Sequence, residues 1–125
     1  MIDRELVEEK FDIIDRNLDF LEEFKKIDKD LFLKSYKDIQ AVKYSLLEII
    51  ECCIDIANHI ISAKGFRRAE EYREIFEILG EEKVINKNIA SRLQDMASFR
   101  NLLVYRYGEI DNLMVLEIIK RIKRK

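Results

Sequence analysis

The sequence has no proline or tryptophan, and only three glycines, two cysteines and one histidine in 125 residues. Few residues are therefore available to break helices or build tight turns, which argues against a turn-rich sheet fold. Hydrophobic residues still make up 48% of the chain and charged residues 38%, so it has both a core and a surface, and an all-α fold is expected. Glu, Lys, Arg and Ile are plentiful and Gln scarce, a balance that favours surface charge networks and is often met in proteins from hot environments. The length suits a single domain over residues 1–125. No run approaches the roughly 20 apolar residues of a membrane span. Met1-Ile2-Asp3-Arg4-Glu5 lacks the layout of a signal peptide, so a cytoplasmic protein without a membrane partner is expected. Cys52 and Cys53 are adjacent, cannot easily bridge within a helix and have no Cys or His at metal-ligand spacing. Reduced thiols, at least one of them in the core, and no metal site are expected. The formal net charge of -2 makes the whole chain no obvious polyanion binder, although residues 120–125 form a basic run that would also suit a helix C-terminus.

Hydrophobic spacing divides the chain into helices. Val7, Phe11, Ile14, Leu18 and Leu21 recur at steps of four and three over about residues 3 to 26. Ile39, Val42, Leu46, Ile49, Cys53, Ile56 and Ile60 continue the rhythm in one long segment over about 29 to 63, expected to pair antiparallel with the first. Gly65 is a plausible stop. Ala69, Tyr72, Phe76 and Leu79 mark a short helix ending at Gly80, placed where a C-terminal glycine belongs. Asn86 can cap a helix through Ile89, Leu93, Met96 or Ala97, and Leu103 to about Arg106, and Asp111 can cap a last one bearing Val115, Ile119 and Ile122. Four or five helices result. Ile13, Phe20, Phe24 and Phe99 add more apolar surface than one stripe needs, which points to a homodimer.

Two stretches carry a resemblance. The run Asp55-Ile56-Ala57-Asn58-His59-Ile60, preceded by Glu51, Cys52, Cys53 and Ile54, is similar to the second-helix signature of a known family. Residues 96–107 hold Arg100, Asn101, Leu102, Leu103, Val104, Tyr105, Arg106 and Tyr107, and match a second signature: arginine, a polar residue, apolar positions, histidine, one residue, tyrosine. On these residues the chain resembles the HepT-type proteins of the HEPN superfamily, with Tyr105 where the family's catalytic histidine stands. The resemblance spans most of the chain. It implies an up-and-down, HEPN-like helical bundle that dimerises so that two signature segments face across a cleft. It also implies an RNA substrate, cut by the motif arginine and histidine with no metal or cofactor. The family's toxins are neutralised by a minimal nucleotidyltransferase antitoxin of the MntA type, which adenylylates the tyrosine two residues after the histidine. Carried over, Arg100, Asn101 and Tyr105 are the candidate catalytic residues and Tyr107 the candidate adenylylation site.

Read as residues alone, Asn101 and Tyr105 are an i, i+4 pair, and Arg100 and Tyr107, seven apart, return to nearly one azimuth, so the four are expected to form a polar edge. On spacing alone, Arg100 paired with a carboxylate and the tyrosines packed as core aromatics with wet hydroxyls is the favoured arrangement, and the family resemblance reverses that preference for Arg100. Metal-free RNA cleavage needs a base for the ribose 2′-OH, a donor for the leaving oxygen and a cation for the phosphorane. Arginine suits the last role because it stays charged and grips two phosphate oxygens. A phenol with the ordinary pKa of about 10 is ionised to only about one part in a thousand at pH 7, a poor substitute for histidine as base. Cleavage is expected to be absent or weakened while binding persists. The alternatives are a non-catalytic partner that regulates a small nucleotidyltransferase, or a tyrosine introduced to make a toxic protein tolerable for expression. His59, the sole histidine, reads as a hydrogen-bonded structural residue, with an approach to Arg100 left open.

Overall fold

The computed structural model describes residues 1–122; the last three residues of the basic run lie outside the described residues. Side-chain caps set most of the helix starts, as the short polar residues ahead of each apolar run require. Asp3 caps α1 (Arg4–Glu22), Asp28 caps α2 (Lys29–Lys34), Ser35 caps α3 (Tyr36–Lys64), Asn86 caps α5 (Lys87–Tyr105) and Asp111 caps α6 (Asn112–Arg121), each accepting from a backbone N–H of its first turn. α4 (Tyr72–Glu81) has no such cap at Glu71; Glu74 reaches back to accept from the Glu70 N–H at 2.6 Å. A 3-10 turn (Tyr107–Glu109) joins α5 to α6. The described residues therefore form six α-helices, in place of the four or five expected.

The extra helix arises at Ser35. The second segment was expected to run unbroken from about 29 to 63, but Ser35 takes an extended conformation and its hydroxyl accepts from the Asp38 N–H at 3.2 Å. That bond restarts the chain as α3 and lets the preceding turn fold Phe32 into the core, edge-on to Phe24, which is edge-on to Phe20. Phe20 and Phe24, expected to serve an interface, are thus engaged within the chain.

Gly65 ends α3 in the left-handed region at φ 70°, as expected. Gly80 does not end α4 in that way: it lies within the last turn, and the left-handed residue is Lys83 at φ 61°. Gly80 answers a packing need instead. A Cβ there would stand 3.1 Å from the Cβ of Ala90, so the glycine permits the close approach of α4 to α5.

α1 and α3 pair antiparallel, as expected. Along the pair, the Asp3 N–H donates to His59 Nε2 at 2.8 Å, Lys10 meets Asp55 at 2.9 Å, and Asn17 donates to Glu48 at 2.7 Å while accepting from the buried Ser45 hydroxyl. α4 and α5 are also antiparallel, held by Arg73 donating to the Gln94 carbonyl and the Ser98 hydroxyl. Phe32, Val115 and Ile119 fill the core where α2 and α6 pack beside α3, and Phe76 and Ile78 fill it where α4 packs against α3 and α5. No helix among the described residues is long and apolar enough to cross a membrane.

Candidate functional site

The second half of α5 brings its signature residues against the flank of α3. Three polar contacts hold Arg100, whose side chain is only 11% exposed. Its Nε donates to Glu51 of α3 at 2.5 Å, an Nη donates to Asn101 Oδ1 at 3.2 Å, and Cζ lies 4.4 Å from the ring centre of Tyr72, the first residue of α4. Burial opposes the guanidinium's charge. The Glu51 bond and charge outweigh that, with a smaller contribution from the Tyr105 hydroxyl, and the pKa stands above the ordinary arginine value. Arg100 is a permanent cation whose Glu51 and Asn101 bonds use two of its five N–H donors.

Tyr105 ends α5 and is 76% exposed. Asn101, one turn earlier, is exposed on the helix and lines a shallow hollow of about 440 Å³ of mixed polar and apolar character, with Asn58, Glu70, Glu71, Tyr72 and Ile75 among others. Arg100, Asn101 and Tyr105 therefore share one end of α5, with the cation inside and the phenol outside.

Tyr107 is not on their helix. Its seven-residue spacing would put it beside Arg100 on a continuous helix, but Arg106 leaves helical geometry at φ -135° and ψ 39°, and the chain turns Tyr107 back onto the N-terminal half of α3. There its hydroxyl donates to Gln40 Oε1 at 2.8 Å, its carbonyl accepts from Lys43 Nζ at 3.3 Å, and the same ammonium lies 4.3 Å from its ring centre. Burial, with the neighbouring Tyr36, holds the phenol's pKa above the ordinary value. His59 is a structural residue: its Nε2 accepts from the backbone at the start of α1.

Glu51, Tyr72, Gln40 and Lys43 escaped notice as site residues. Lys43 left a signal, since Ile39, Lys43, Leu46 and Ile50 are spaced four, three and four and so put a lysine on a buried stripe. Glu51 left a weaker one as a lone carboxylate between Ile50 and Cys52. Nothing in the sequence distinguishes Gln40 or Tyr72.

On the opposite flank of α3 two apolar hollows open in succession. One, of about 480 Å³, is lined by Leu18, Leu46, Ile49, Met96, Phe99 and Ile118 among others. The next, of about 230 Å³, includes Phe11, Cys53, Ile56, Ile60 and Leu93. Phe11, expected in the core stripe of the first helix, is 52% exposed, and among the described residues of α1 only Leu21 is fully buried.

The whole bundle, with Arg100 near the end of α5 against the long α3, superposes on a solved HEPN toxin, which defines its class. The match is specific. The model of the family described as "Ribonuclease HepT-like" matches residues 14–124, and the chain belongs to that family. It is 31% identical over 107 residues to a tRNA nuclease HepT of Aphanizomenon flos-aquae, covering 85% of this chain and 72% of the relative. It is 27% identical over 93 residues to an mRNA nuclease HepT of Shewanella oneidensis, covering 74% and 70%. A solved structure of a tri-AMPylated Shewanella oneidensis HEPN toxin in complex with an MNT antitoxin superposes with a TM-score of 0.85 at 25% identity, over 97% of this chain and 89% of that one.

Proposed function

We propose that this chain is the toxin-like subunit of a HEPN and minimal-nucleotidyltransferase pair, a cytoplasmic RNA-directed protein whose metal-independent cleavage is weakened by Tyr105. One observation carries the reading: within a HepT-like chain, a largely buried, permanently charged Arg100 stands little more than one helical turn before an exposed Tyr105, the position that the resemblance aligns with the family's histidine. Arg100 supplies the cation for a phosphate, and Asn101 an amide donor beside it. Tyr105 offers a hydroxyl donor or a stacking ring for a base, but little proton abstraction near neutral pH.

The partner is a small nucleotidyltransferase, supported by the likeness to a toxin solved with such an antitoxin. Tyr107 is its acceptor. The nucleotidyl group adds a negative charge to the segment that follows Arg100 and opposes RNA binding there. The protein acts as a homodimer, and the apolar hollows along α3 are the surface that pairing covers, which sets the two signature segments on outer flanks in place of the shared cleft that the resemblance implies.

The test is RNA decay by the purified protein. Tyr105→His is expected to raise cleavage about a hundredfold or more, the usual contribution of a positioned acid or base, and adding Arg100→Ala is expected to abolish the gain. Equal decay by wild type and Tyr105→His would sink the claim that Tyr105 disarms the site. The second reading, a non-catalytic subunit that docks and regulates the nucleotidyltransferase, is favoured by the Glu51–Arg100 pair, because Glu51 competes with phosphate for the guanidinium. It predicts no decay even with histidine at 105.

A further inference from the structure

Lys43 is the charge in this fold that packing explains least. The residue is 4% exposed, and burial lowers its pKa. Among the described residues it forms no ion pair with a carboxylate. Its partners are two parts of one residue, the Tyr107 carbonyl at 3.3 Å and the Tyr107 ring at 4.3 Å. A buried ammonium is ordinarily paired with an anion, and a carbonyl and an aromatic face offset its desolvation only in part. Beside it the Gln40 amide is used at both ends, Oε1 accepting from the Tyr107 hydroxyl at 2.8 Å and Nε2 donating to the Tyr36 hydroxyl at 3.2 Å. The α3 turn that carries Gln40 and Lys43 therefore grips Tyr107 at its hydroxyl, its ring and its backbone.

We infer that Gln40 and Lys43 form a seat that controls Tyr107 as a nucleotidyl acceptor, Gln40 withholding the phenol and Lys43 supplying the positive charge for the phosphodiester that transfer creates. The inference rests on the reading of Tyr107 as the acceptor. In the transfer the phenol oxygen bonds to the α-phosphorus of a nucleoside triphosphate. The bond from that phosphorus to the β-bridging oxygen breaks, pyrophosphate leaves, and the phenol proton passes to solvent or to a base of the transferase. In the seat that proton is committed to Gln40, so the side chain must leave before it can react. After transfer a neutral hydroxyl has become a phosphodiester anion, and Lys43 is the cation the fold already holds within reach of that side chain.

The test uses the full chain as wild type, Gln40→Ala, Lys43→Gln and, as the site control, Tyr107→Phe. Each is incubated with the cognate minimal nucleotidyltransferase and ATP and followed by intact mass; acetylation by N-acetylimidazole, mapped by peptide mass, reads phenol access without the transferase. Gln40→Ala is expected to accelerate both reactions at Tyr107 about fivefold, the factor to which an ordinary hydrogen bond converts, while acetylation of the exposed Tyr44 and Tyr105 stays constant. In Lys43→Gln, adding the nucleotidyl group is expected to lower the melting temperature several degrees more than it does in wild type. Equal rates in wild type and Gln40→Ala overturn the withholding role, and equal melting shifts overturn the charge role, with the acceptor reading intact in both cases. If no adduct forms on Tyr107 in any protein, the acceptor reading fails and takes the seat with it.

Discussion

The two flanks of α3 carry opposite kinds of surface. On one, Gln40, Lys43 and Glu51 each meet a partner from α5 or the turn after it, and polar groups satisfy one another inside the chain. On the other, Leu46, Ile49, Cys53, Ile56 and Ile60 face hollows between α1 and α5. The difference teaches which side is complete. A flank of closed hydrogen bonds sets geometry for chemistry, whereas a flank of open apolar side chains gains most from a second surface laid over it.

The comparison breaks most visibly if a charge is set in the open flank. Phe99→Asp is expected to weaken self-association by about 3 to 5 kcal/mol, the cost of leaving an unpaired charge buried, and light scattering at micromolar concentration would show a monomer. A wild-type protein already monomeric there removes the pairing role altogether. Two neighbouring isoleucines sharpen the contrast. Ile54→Ala, on the buried face, is expected to cost about 3 kcal/mol of stability, and Ile56→Ala, in the hollow, about 1 kcal/mol when measured on the monomer by denaturant melts. Equal losses would mean that the hollow is as closed as the core.

Cys53 reports the same flank through its thiol, whose pKa burial raises from 9.0 to about 11. At pH 8 its alkylation is expected to run about a hundredfold slower than that of an ordinary thiol, because only the thiolate reacts. The sign for stability follows from the raised value: the contribution is full below pH 9.0 and is lost as pH rises through about 11. Labelling of Cys53 at the ordinary rate in folded protein would show that the hollow leaves its partly buried thiol in water. The smallest effect belongs to the exposed Lys10–Asp55 pair. Asp55→Asn is expected to cost under about 1 kcal/mol, less at high salt, and a larger loss in thermal melts would show that α1 depends on this pair more than a surface ion pair allows.

Much of the fold was legible because it follows from local rules. Asn86, Asp111 and Gly65 act where their chemistry predicts, and the antiparallel pairing of the first two long segments holds. The break at Ser35 was missed because its hydroxyl competes with an unbroken helix over a few bonds, and the balance is tipped by burial of Phe32, a distant contact. The stripe from Ile49 to Ile60 was right in its period, yet period alone does not say whether a face meets the core or an open hollow.

The candidate site divides in the same way. Sequence alone determined which chemistry is on hand, an arginine, an amide and two phenols within residues 100–107 with no histidine among them, because residue identity sets charge and proton affinity. Tertiary structure decided what each of them faces. Arg100 meets Glu51 and Tyr72, and Tyr105 faces solvent. Tyr107 departs from its expected edge to sit on Gln40 and Lys43, because one non-helical residue, Arg106, redirects the chain, and contacts more than 60 residues apart in sequence then hold it there.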